Sequence, residues 1–77
     1  MKEQILNILK EFRPDVDPRG REDLIDGGLL DSLDIVNIVA EFESVFDVSI
    51  PVEEIVPENF NSAGAMKKMI DRLKEEE

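Results

Sequence analysis

From Ser32 to Phe46 the chain runs without a glycine or a proline, and Ile35, Ile38, Val39, Phe42, Val45 and Phe46 recur at spacings of three and four. That period lays them along one side of an α-helix, with Asp34, Asn37, Glu41, Glu43 and Ser44 mainly on the others. A helix this short is marginal alone in water, so its stability must come from burying the stripe against other elements. Leu33 and Val36 lie partly off the stripe, either at a second buried edge or left at the surface for a partner.

The remaining segments offer that cover. Ile5, Leu6, Ile8, Leu9 and Phe12 predict a first helix over residues 2–13, ended by Pro14. Residues 14–31 hold Pro18, Gly20, Gly27 and Gly28 and read as a long loop held down by Val16, Leu24, Ile25, Leu29 and Leu30. After the Ser32–Phe46 helix, Ile50 anchors a short connector before Pro51, and Val52 to Val56 predict one turn of a short third helix before Pro57. Residues 58–62 then read as a turn with Phe60 pointing inward and Asn61 or Ser62 capping the last helix. That helix runs to about Leu73 with Ala63, Met66, Met69, Ile70 and Leu73 on its buried face, and Glu75, Glu76 and Glu77 fray because acids oppose the dipole at a helix C-terminus. The expected fold is all-α: one domain, residues 1–77, a four-helix bundle of three longer helices and a short third one, with a long loop between the first two.

With no cysteine and no histidine among 77 residues, thiolate nucleophiles, imidazole bases and the usual zinc ligands are gone. The chain is expected not to be an enzyme, and any functional serine is expected to be modified by another protein. Nineteen acids against nine bases give a net charge of −10, which disfavours nucleic acid and anionic membranes and favours basic protein partners. No apolar run has the length of a membrane span, and the N-terminus does not resemble a signal peptide, so a cytoplasmic monomer is expected.

The loop 15–26 imitates a calcium-binding loop with Asp15, Asp17, Gly20 and Asp26 at the first, third, sixth and twelfth positions. Arg19 occupies the fifth, the bidentate Glu is missing, and Gly27-Gly28 follows where a helix is required, so no metal site is expected. Ser32 is the residue with two readings. A serine at a helix start is an ordinary N-cap, and it is also where a phosphate would meet orphan N–H groups and the positive end of the helix dipole.

Gly28-Leu29-Leu30-Asp31-Ser32-Leu33-Asp34, followed by the acidic helix ending Glu41-Phe42-Glu43-Ser44-Val45-Phe46-Asp47 and by Val48-Ser49-Ile50-Pro51, resembles the carrier-protein family typified by acyl carrier proteins. The resemblance implies 4′-phosphopantetheine, taken from coenzyme A, on Ser32, with Asp31 and Leu33 flanking the attachment point and the cargo held as a thioester. It further implies a phosphopantetheinyl transferase and acyl- or aminoacyl-ligases and processing enzymes as partners, docking through basic patches on Asp31, Asp34, Glu41 and Glu43 and through Leu33 and Val36. An acyl cargo, as in fatty acid biosynthesis, is the first expectation. A D-alanyl or other aminoacyl cargo is the alternative, and an acidic adaptor without a prosthetic group the second alternative. Two departures from the fatty-acid carriers bear on cargo: Asn37 stands where they place an acid, and the longer segment 56–62 looks more like that of D-alanyl carriers.

Overall fold

Ile5, Ile8 and Leu9 turn one face of the first helix inward, and the second and last helices pack against it. The computed structural model describes residues 1–75. It comprises α1 (Lys2–Phe12), α2 (Ser32–Phe46), a 3-10 turn (Val52–Glu54), α3 (Pro57–Phe60) and α4 (Ala63–Glu75), with no strand among the described residues. α1 packs on both α2 and α4, and α3 packs on α4. The all-α bundle expected from the sequence is the fold observed.

Phe42, Phe60, Ile5, Leu24, Ile38, Met66, Met69 and Ile70 are the largest fully buried side chains among the described residues. Phe42 and Phe46 meet edge to face with ring centroids 5.7 Å apart, a geometry in which the positive edge of one ring meets the negative face of the other. Every α4 residue expected in the core is there. Val45 is not: 43% of its surface remains exposed, because α2 meets its neighbours along Ile35, Ile38, Val39, Phe42 and Phe46 and Val45 falls beyond that seam.

The long loop is pinned as expected, with Leu24 and Leu30 buried and Val16, Ile25 and Leu29 packed against the core. The Leu24 carbonyl accepts from the N–H groups of both Leu29 and Leu30, closing residues 24–30 on themselves. Gly28 lies at φ +74°, a conformation that side chains other than glycine rarely adopt, while a Cβ on Gly27 would sit 2.7 Å from the Asp23 carbonyl oxygen. Asn61, at the end of α3, then fastens this loop to that helix. Its Oδ1 accepts from the N–H groups of Ile25 and Asp26, its Nδ2 donates to Asp26, and its carbonyl accepts from the Leu24 N–H.

Two boundaries differ from expectation, and the choice of cap left open for α4 is decided. Val52–Glu54 is a 3-10 turn, and the next α-turn starts at Pro57 rather than stopping before it, because a proline lacking an N–H fits the first turn of a helix, where that N–H has no acceptor. Asn61 being engaged by the loop, Ser62 alone caps α4, its Oγ accepting from the Ala65 N–H at 3.0 Å. Glu75 is helical; the fraying expected of Glu76 and Glu77 lies outside the described residues.

Candidate functional site

α2 begins with a reciprocal cap that leaves its serine free. Asp31, extended at φ −102° and ψ −177°, is the N-cap; its Oδ1 accepts from the Asp34 N–H at 2.9 Å, and Asp34 Oδ2 accepts from the Asp31 N–H at 3.2 Å. Ser32 is therefore the first residue inside the helix and not its cap. Its side chain is exposed, and its hydroxyl makes no hydrogen bond among the described residues. With Asp34 N–H taken by Asp31 Oδ1 and Ile35 N–H by the Asp31 carbonyl, the N–H groups of Ser32 and Leu33 remain outward at the positive end of a 15-residue helix.

The flanking residues divide into committed and open ones. Asp34 is committed: Arg13 Nη1 donates to its Oδ2 at 2.7 Å, and only 15% of its side chain is exposed. Burial by itself would raise its carboxyl, but the Arg13 hydrogen bond and charge together with the Asp31 N–H outweigh it and hold Asp34 below the usual carboxylate range. Glu43 is committed too, accepting from the Ile50 N–H at 2.9 Å. Glu41 is half-buried, whereas Asp31 is exposed. Leu33 and Val36 stand out with 68% and 63% of their surface in water, so the outward alternative holds for both. An exposed acid, a free hydroxyl and two apolar side chains thus share the first turns of α2.

The other serines lack this setting. Ser62 Oγ is used as the α4 cap, Ser44 lies in the body of α2, and Ser49 is in the connector. The chain has no threonine and no tyrosine, so these serines are its whole stock of hydroxyls. Two of the acids of the calcium-loop imitation are taken by arginines: Asp15 is paired with Arg13 and Asp17 with Arg19. No cluster among the described residues is suited to a metal ion, and no helix is long and apolar enough to cross a membrane.

Sequence reasoning missed Arg13. It lies 21 positions from Asp34, and nothing in the local pattern announces the contact; the available signal was that Arg13 is the last residue before Pro14 and so is placed at the end of α1.

Residues 3–70 match the family described as "Phosphopantetheine attachment site". The D-alanyl carrier protein of Streptococcus suis is 45% identical over 64 residues, covering 82% of this chain and 81% of that protein. The D-alanyl carrier proteins of Streptococcus equi subsp. zooepidemicus and Streptococcus mutans serotype c are each 36% identical, over 94% and 96% of this chain and 92% and 95% of theirs. These matches leave no place for an adaptor without a prosthetic group, and they give no support to a setting in fatty acid biosynthesis. An exposed, unbonded serine among outward N–H groups suits a phosphodiester, and with the family match it leads to one conclusion: the chain belongs to the phosphopantetheine-binding carrier proteins and takes covalently attached 4′-phosphopantetheine.

Proposed function

We propose that Ser32 is the attachment residue and that the chain is a D-alanyl carrier, holding its aminoacyl group as a thioester on the prosthetic thiol and presenting it to successive enzymes. The observation that carries this reading is the position of Ser32 as first helical residue, its hydroxyl released from capping by Asp31. In the attachment step Ser32 Oγ forms a bond to the phosphorus that bears pantetheine in coenzyme A. The pyrophosphate P–O bond breaks, adenosine 3′,5′-bisphosphate leaves, and the hydroxyl proton passes to a base of the transferase. The D-alanyl cargo is favoured by the names of the relatives and by Asn37, which thins the acidic surface of α2.

Because the chain holds no thiol or imidazole of its own, the reading makes it a substrate shared among enzymes and not an enzyme itself, working where coenzyme A is supplied in the cytoplasm. Docking falls first to Asp31, Leu33, Val36 and Glu41, since Asp34 and Glu43 already have partners within the chain. Incubation with coenzyme A and a broad-specificity phosphopantetheinyl transferase should add one phosphopantetheine to the wild type by intact mass, and none to Ser32→Ala. Undiminished addition to that variant would overturn the site. Presented with a panel of ligases, the modified protein should be charged with D-alanine; charging by fatty-acid ligases alone would overturn the cargo.

A further inference from the structure

Arg13 sits at the head of a relay that ends at the peptide N–H just before Ser32. Its Nη1 donates to Asp34 Oδ2 at 2.7 Å; the same oxygen accepts the Asp31 N–H at 3.2 Å. On its other edge the guanidinium is forked onto Asp15, with Nε and Nη2 each 3.2 Å from a carboxylate oxygen. A planar guanidinium held by two carboxylates has little freedom, so it fixes the Asp34 carboxylate and through it the backbone on which α2 starts.

The charge map gives the same residue a second task. Between Arg21 and Lys67 there is no lysine or arginine, and Asp31 and Asp34 put two acids on the turn that holds Ser32. A phosphodiester on Ser32 adds a third anion there. Among the described ion pairs, the cation that reaches this turn is Arg13, the residue that follows α1.

We propose that Arg13 is a positioning residue for the prosthetic group: through Asp34 it sets the start of α2 for attack by Ser32, and by neutralising Asp34 it limits the repulsion that a phosphodiester on Ser32 meets. The inference rests on Ser32 as the attachment residue. It also assigns the Arg13–Asp34 pair a purpose that stability alone does not require, since ion pairs of partly exposed groups contribute little.

The test compares wild type, Arg13→Gln, Arg13→Lys and Asp15→Asn, each verified as helical by circular dichroism. With coenzyme A and the transferase, Arg13→Gln should lose about tenfold in kcat/KM for the carrier, mostly in kcat, because a displaced nucleophile misses its geometry. Arg13→Lys should recover part of the loss, and Asp15→Asn, which loosens the fork but leaves the Asp34 contact, should lose clearly less than Arg13→Gln. A second measurement is independent of rate: the change in Tm on going from unmodified to fully modified protein should be about 4 °C more unfavourable in Arg13→Gln than in wild type. An equal change in both, or an unaltered kcat/KM, overturns the role of Arg13. Failure of the wild type itself to be modified would instead overturn the assignment of Ser32.

Discussion

The Glu43 carboxylate accepts the Ile50 N–H at 2.9 Å, so a side chain on the last turn of α2 holds the connector that leads away from it. Ile50 is buried, and its N–H is partly shielded from water. Removing the acceptor leaves that donor without a partner. Glu43→Ala is therefore expected to lower stability by about 1 to 2 kcal/mol in urea unfolding, whereas Glu43→Gln, which keeps an acceptor oxygen, should cost less than half as much. Any weakened docking in Glu43→Ala has to be read against that loss.

Neighbouring residues at the start of α2 should respond in opposite ways. Asp31→Ala removes the cap and should cost about 0.5 to 2 kcal/mol. Ser32→Ala, at an exposed helical position with an unbonded hydroxyl, should stay within about 0.5 kcal/mol of wild type while abolishing modification. Paired urea titrations of the unmodified proteins check both. A large loss in Ser32→Ala would mean that Ser32, and not Asp31, caps the helix.

Leu33→Gln and Val36→Gln take apolar surface out of contact with water and leave the core untouched. Stability should change by less than about 0.5 kcal/mol, while KM for the modified carrier with its ligase rises about tenfold, as expected when an anchor is lost at the centre of an interface. Steady-state charging assays read the second effect, and adding salt should raise KM further in every variant if charge steers the encounter.

Acid should lower stability modestly, in part through two ion-paired carboxylates. Arg72 holds Glu54 below its ordinary value by a forked pair at 2.8 and 2.9 Å, and Asp34 is held down by Arg13 against the opposing effect of its burial. A carboxyl whose folded pKa is depressed contributes stability that is present above its unfolded pKa and lost as pH falls through the folded one. The urea midpoint should thus fall as pH drops below about 4, the unfolded carboxylate range. In Arg72→Gln and Arg13→Gln the drop over the same interval should be smaller.

How much of this was legible without coordinates depended on whether the signal was local. The limits of α2 followed from the spacing of Ile35, Ile38, Phe42 and Phe46, and the buried face of α4 from Met66, Met69, Ile70 and Leu73, because helical period and burial coincide in both. Pro57 was misplaced because a proline marks the end of one helix and the first residue of the next with the same letter. Asp31 and Ser32 are both good caps standing side by side, and only the register of α2 decides between them. Asn61 illustrates the larger gap: its ties to Ile25 and Asp26 join segments 35 and 36 positions apart, which no window of sequence contains. The serine and its family pattern were readable; the arginine behind it was not.

One last contact changes what the carrier can be mechanically. Lys74 Nζ donates to the Phe46 carbonyl at 3.1 Å, supplying from α4 the cation that the last turn of α2 lacks. Its other end being tied through Asp34 to Arg13, α2 is a beam clamped at both ends by neighbouring helices. Two such ties restrain α2 against its neighbours. If Ser32 bears the prosthetic group as proposed, the reach of the cargo is set mainly by the length of that arm and by tumbling of the whole protein, and partners are expected to bring their active sites within one arm's length of Ser32.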